Sequence, residues 1–189
     1  MTNSPITGLI LAGGRGRRMG GIDKGLTLFN ETALIDHAIA TLDPQVSELL
    51  ISANRNIEQY RGRGYPVLTD EQADFPGPLA GIHRGLERAK HDLVVVIPCD
   101  TPKLSATFVS RLLEVMPKDG AACIAYDGVR DQHLVCLLRR SVSDSLDQTL
   151  REQNYRVSDW IQSLDPVRCD FSGQAEMFLN INQLSASQL

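Results

Sequence analysis

The sequence predicts one three-layer α/β/α domain with a mainly parallel, Rossmann-like sheet, and three observations carry that expectation. The apolar runs at 7–11, 48–52 and 93–97, the last being Leu-Val-Val-Val-Ile, are short and continuous, as in strands covered on both faces. Segments of helical period lie between such runs, the first spaced Leu34, Ile35, Ala38, Ile39, Leu42. Polar or glycine-rich stretches follow the strands, at the edge where open α/β sheets with right-handed crossovers take their ligands.

Strand one, at 7–11, runs into a glycine-rich loop, and a helix over 33–42 is closed by Asp43-Pro44. Strand two at 48–52 is followed by Asn54-Arg55-Asn56, and strand three at 66–69 by Asp70; for each of these polar residues alone, turn chemistry is the simpler reading. Phe75 to Gly81 holds two prolines and two glycines, a stiff loop that leads into a helix with Ile82, Leu86 and Ala89 on one face. Free N–H groups at that helix start can face an anion or a base edge. Strand four, at 93–97, delivers Pro98-Cys99-Asp100-Thr101-Pro102 to the ligand edge. The next helix, at 105–115, carries Phe108, Val109, Leu112 and Met116 on one face, with Ser105 as its cap. Runs at 121–125 and 134–138 form a hairpin around Asp127 to Gln132, and helical patterns follow at 142–153 and 157–164. Alternation of Leu179 and Ile181 with Asn180 and Asn182 predicts a final strand with two amides on one face.

At 189 residues, 42% hydrophobic and 22% charged, the chain suits a single domain over 1–189, without repeat, low-complexity segment or linker. A net charge of −4 argues against a nucleic-acid partner and, with the cations gathered in one loop, favours a small anionic ligand. The N-terminus lacks the regions of a secretory signal and no apolar run has the length of a membrane span, so the expectation is a cytoplasmic protein with no membrane contact. Cys99, Cys123, Cys136 and Cys169 are widely spaced and read as reduced, packed thiols. His37, His83 and His91 show no clustering, and His133 at a strand entry reads as structural.

The loop after strand one sets Gly13, Gly14, Gly16, Gly20 and Gly21 among Arg15, Arg17, Arg18 and Lys24, with only Asp23 opposing them. Glycine lets backbone N–H groups approach an anion, and mixed arginine and lysine suit a flexible polyphosphate; a solvated basic turn is the plain alternative. Gly16 and Gly21 have P-loop separation, but Ile22-Asp23 follows where Lys and a hydroxyl residue are required. Gly14-Arg15-Gly16 opens a dinucleotide fingerprint whose third glycine would fall on Met19. Asp100, fixed at the end of strand four, is a natural hard-oxygen ligand for magnesium.

Leu11-Ala12-Gly13-Gly14, Arg18-Met19-Gly20 and Lys24 together resemble the loop of the nucleotidyltransferases. The longer form that runs through Gly-Gly-Ile-Asp-Lys24 is similar to the molybdenum cofactor guanylyltransferases, as are Gly-Pro-Leu-Ala-Gly81 and Pro98-Cys-Asp100-Thr-Pro102. The resemblance covers nearly the whole chain. It implies an enzyme that moves GMP from GTP to molybdopterin and releases pyrophosphate, with the N-terminal part holding GTP and the C-terminal part contributing to the molybdopterin site. On this resemblance Arg18, Lys24 and Asp100 are catalytic and Mg2+ sits on Asp100. GTP is bound by Leu11, Ala12, Gly13, Gly14, Arg15, Lys24, Ser52, Asp70, Gly81 and Asp100, and molybdopterin by Asn180 and Asn182. Ser52 stands where the family often has asparagine, and His133 at or beside a family proline. The second metal-binding aspartate of many sugar nucleotidyltransferases is absent near the C-terminus, which leaves Asp100 as the chief carboxylate. Transient contacts with other cofactor-biosynthesis proteins and with acceptor molybdoenzymes are implied as well. The other readings open at this point are a cytidylyltransferase for the same cofactor, a sugar-phosphate nucleotidyltransferase, and a GTP-sensing regulator without turnover.

Overall fold

Seven strands of one sheet and six α-helices organise the computed structural model, which describes residues 5–13, 23–69 and 77–181. In chain order the elements are β1 (Ile6–Leu11), β2 (Leu28–Phe29), β3 (Thr32–Ala33), α1 (Leu34–Leu42), β4 (Glu48–Ser52), α2 (Ile57–Arg61), β5 (Val67–Leu68), α3 (Pro78–Arg88), β6 (Leu93–Pro98), α4 (Phe108–Val115), β7 (Ala122–Tyr126), β8 (Asp131–Arg139), α5 (Ser143–Arg151), α6 (Val157–Ser163) and β9 (Val167–Asp170). The sheet order is β5-β4-β1-β6-β8-β7-β9, and only β8 runs against its neighbours. A hairpin is what reverses it: β7 turns straight back into β8, whereas every parallel pair is reached by a longer crossover.

The continuous apolar strands are covered on both faces. Ile10, Ile51, Val95 and Ile97 face a core shared with α1 and α4, and Leu9, Leu50, Val94 and Val96 face a second core shared with α3, α5 and α6. The four cysteines are buried in these layers as free thiols, as their spacing predicts. Helix α3 approaches the sheet closely because two of its residues lack Cβ. A Cβ on Gly85 would lie 2.3 Å from Leu9 Cδ2, and one on Gly81 would lie 2.5 Å from Ser52 Oγ and 3.2 Å from Leu11 Cδ2. Gly81→Ala is therefore expected to lose about 1–3 kcal/mol to overpacking, offset by at most ~1 kcal/mol of helix propensity. A lowered midpoint of urea unfolding checks this.

Two sequence expectations change, and two elements were unmarked. The helix predicted from Ser105 starts at Phe108; Ser105 instead closes a turn, its Oγ receiving Thr107 N at 3.4 Å and its carbonyl receiving Phe108 N at 3.3 Å. Among the described residues the strand predicted at the C-terminus is not formed. A 3-10 segment, Ser172–Phe178, leads to Leu179 and Ile181, whose alternating apolar side chains pack with Phe29 and Leu34 as a separate small cluster. Alternation there reflects a strap crossing the domain, with no sheet edge to join. The edge position belongs to β9, which hides in a polar stretch where only Cys169 is buried. The β2–β3 hairpin was equally unmarked; its turn residues Asn30 and Glu31 sit at φ 48° and 65°. Among the described residues no helix is long and apolar enough to cross a membrane.

Candidate active site

A cleft of about 720 Å³ opens at the C-terminal ends of β1 and β6, lined by Leu11, Ala12, Gly13 and Lys24, by Asp100 after β6, by Gln132 and His133 of β8 on the other side of β6, and by Asn180. Its floor is fixed by hydrogen bonds that tie the strand ends together. Ala12 N and Gly13 N both donate to Ser52 O, at 2.9 and 3.0 Å, and Cys99 N donates to Leu11 O at 3.1 Å. A Cβ on Gly13 would stand 3.1 Å from Ala53 Cα, a close approach that favours glycine at the end of β1.

Lys24 reaches Asp100 across this floor, Nζ to Oδ2 at 2.5 Å. The side chains keep 28% and 22% of their exposure, and a pair that open to water contributes at most about 1 kcal/mol, so its placement serves the cleft more than the fold. Lys24 is aimed by the residue before it. Asp23 takes the Tyr60 hydroxyl at 2.6 Å and Asn56 Nδ2 at 2.9 Å, and its carbonyl accepts Leu26 N at 3.1 Å, closing a one-turn 3-10 helix at Lys24–Leu26. Burial, reinforced by the bond to Asp23, pushes the Tyr60 phenol far above its ordinary range, so it stays a donor. Gly25 is required beside it, since a Cβ there would lie 2.4 Å from Tyr60 Oη. Asp23 and Tyr60 were not singled out as site residues by the sequence; Asp23 reads there only as a counter-charge in a basic loop.

Asp100 is held from two sides, by strand β6 behind it and by Ile181 N, which donates to its carbonyl at 3.0 Å. That second bond brings the strap, and Asn180 with it, to the cleft. Asn180 thus reaches the site from the strap and not from a strand. Next to Asp100, Cys99 is a packed residue: burial first, then the neighbouring carboxylate, pushes its thiol up to about 12. Ser52 and Gly81 lie one layer behind the cleft wall, Ser52 5% exposed and both in contact with each other. Gly14, Arg15, Arg18, Asp70 and Asn182 lie outside the described residues. Among the described residues no three His, Cys, Asp or Glu side chains gather as a metal cage. The donor set fits a divalent ion held by one hard carboxylate and completed by substrate phosphates, the mode magnesium favours.

The far wall was largely unread in the sequence. Strand β8 brings Asp131, Gln132, His133, Leu134 and Val135 to the cleft, and the turn before it brings Arg130. Asp131 is fixed there by Arg168 of β9, Nε to Oδ1 at 2.8 Å and Nη2 to Oδ2 at 2.9 Å.

A parallel sheet whose first strand feeds a glycine-bounded basic loop, with a carboxylate after a central neighbouring strand, defines a nucleotidyltransferase. Comparison with known proteins gives the family. The chain belongs to the family of the MobA-like NTP transferase domain, whose model matches residues 8–167. It is 40% identical over 178 residues to the molybdenum cofactor guanylyltransferase of Shewanella loihica, with 94% of this chain and 91% of that protein covered. To the protein of the same name from Bordetella pertussis it is 45% identical over 160 residues, covering 82% and 81%. Among solved structures it is similar to molybdopterin-guanine dinucleotide biosynthesis protein A from Archaeoglobus fulgidus, with TM-score 0.74, 20% identity, and 97% and 100% of the two chains covered, a likeness of fold.

Proposed function

We propose that this protein transfers GMP from GTP to the terminal phosphate of molybdopterin, forming the guanine dinucleotide form of the molybdenum cofactor and releasing pyrophosphate. The observation that carries the reading is the Lys24–Asp100 pair in the middle of a cleft whose two ends are built by different parts of the chain. One end has the elements of a nucleotide site and the other holds Asn180, so donor and acceptor can meet over Asp100.

The base lies against the end of β1. Because the N–H groups of Ala12 and Gly13 are committed to Ser52 O, the carbonyls of these residues are the groups that remain to meet guanine, whose N1–H and 2-amino edge donates. Lys24, with Arg15 and Arg18 of the preceding loop, neutralises the triphosphate, and Asp70 helps to hold the nucleoside. Asp100 holds Mg2+, which when bound screens the phosphates and favours departure of pyrophosphate. An acceptor phosphate is already ionised near neutral pH, so attack at the α-phosphorus calls for alignment more than for a strong general base. Lys24 follows the charge onto the leaving group, its ammonium exchanging the Asp100 carboxylate for phosphate oxygens. Asn180, with Asn182 beyond it, positions the acceptor phosphate. This work belongs in the cytoplasm, with hand-over to cofactor-biosynthesis proteins or acceptor enzymes.

Pyrophosphate release tests the reading. Purified protein with GTP, magnesium and molybdopterin is expected to release pyrophosphate and form the guanine dinucleotide; CTP in place of GTP is expected not to. Thermal melts provide a second readout, because a nucleotide at one hundred times its Kd adds about 2.7 kcal/mol, a shift of roughly 5–10 °C at this size. Release with CTP alone points to a cytidylyltransferase, release with a sugar phosphate to that class, and a GTP shift without turnover to a sensor.

A further inference from the structure

The register between β7 and β8 breaks beside the cleft. Ile124 lies opposite Cys136, but the next residue, Ala125, lies opposite Gln132, so β7 advances one residue while β8 advances four. His133, Leu134 and Val135 are the surplus, and these three with Gln132 all line the cleft where a regular strand would turn alternate residues away from it. Sheet order places this segment on the opposite side of β6, and so of Asp100, from β1 and β4, where the nucleotide elements lie.

At the head of the bulged segment the Gln132 amide has a fixed sense. Its Nε2 donates to Asp127 Oδ2 at 2.6 Å, while Asp127 Oδ1 receives Val129 N and Arg130 N, both at 2.8 Å. Asp127 is 8% exposed; burial alone would raise its carboxyl, but these hydrogen bonds outweigh that and hold it below the ordinary range. An ionised carboxylate only accepts, so the amide must turn its N–H2 toward Asp127, and the carbonyl oxygen is the end left for another donor on a residue that lines the cleft. Leu134 beside it, half-buried, adds an apolar residue to the lining.

We propose that the bulged start of β8 is the surface that reads the acceptor's ring, with Gln132 Oε1 accepting a hydrogen bond from an N–H of a flat nitrogen heterocycle and Asp127 acting as the positioning residue that sets the sense of the amide. The inference rests on the guanylyl-transfer reading and adds to it the residue that distinguishes a pterin-bearing acceptor from any other phosphate. Gln132→Met keeps the length of the side chain and removes the acceptor. Asp127→Asn keeps an oxygen for Val129 N and Arg130 N but lets the Gln132 amide reverse.

Steady-state pyrophosphate release gives KM for molybdopterin, calorimetry gives Kd for GTP, and fluorescence titration with free pterin probes the ring alone. Gln132→Met is expected to raise the molybdopterin KM and weaken pterin binding, each by about tenfold, the loss of one hydrogen bond, with Kd for GTP unchanged. Asp127→Asn should move the same two quantities in the same direction, by less, with a melting temperature near that of the parent. A molybdopterin KM within twofold of the parent in Gln132→Met, or a Kd for GTP that rises with it, overturns the assignment. Parent protein that releases no pyrophosphate with molybdopterin overturns the activity itself, and the acceptor assignment with it.

Discussion

Asp100→Asn is expected to lower guanylyl transfer by at least ~10²–10³-fold while the protein stays folded. The substitution preserves shape and the backbone bond from Ile181, so strand β6 and the strap remain where they are. What disappears is a full negative charge 2.5 Å from Lys24 Nζ, at the point where the proposed mechanism brings the polyphosphate and its counter-ion. The folded state loses little, because the Lys24–Asp100 pair is partly open to water and such pairs contribute no more than about 1 kcal/mol. The measurement is kcat for pyrophosphate release over a magnesium titration, beside a thermal melt. Turnover near the parent level would remove Asp100 from the metal and from catalysis.

Phe171→Ala is the largest expected loss of stability that also reaches the site. Phe171 is 1% exposed, meets the Phe178 ring edge-on with centroids 5.6 Å apart, and carries the Arg111 guanidinium 4.0 Å above its centroid. Arg111 also donates to Gln174 Oε1 at 2.7 Å and to the Asp170 carbonyl, so the ring is the pivot of the strap. Emptying that volume should cost about 3–5 kcal/mol, a fall in Tm of roughly 10 °C. Phe178 lines the cleft and leads to Asn180 and Ile181, so the molybdopterin KM should rise even at temperatures where the variant is fully folded. An unchanged KM with lowered Tm would show that Phe171 supports the core without setting the strap.

The strands around β1, β4 and β6 were legible because their signals are local. A continuous apolar run such as Leu-Val-Val-Val-Ile can only be a covered strand, and glycines among cations can be read without knowing what lies across from them; β1, β4, β6 and α1 fall within a residue or two of expectation. The β7–β9 side of the sheet was not legible in the same way. Gln132 gains its meaning from Asp127 and from a register break that depends on where β7 and β8 meet, and β9 is paired through backbone hydrogen bonds that a sequence with one buried side chain in four does not announce. Asp23 is a similar case: its partners Asn56 and Tyr60 are more than thirty residues away, on a helix that shows only as a polar stretch. Leu179 and Ile181 misled because alternation is also what a strap makes when it packs across a small apolar cluster.

The lone reversed strand also bears on how such a protein can change its cargo. Elements around β1, β4 and β6 are joined by helical crossovers, and an insertion there would have to be absorbed by two layers of buried side chains. The wall opposite is reached through a four-residue turn whose tip, Val129, is 86% exposed. Lengthening or shortening a surface hairpin is among the mildest edits a chain can undergo. On this plan the hairpin can change length and composition while the covered strands around β1, β4 and β6 stay as they are.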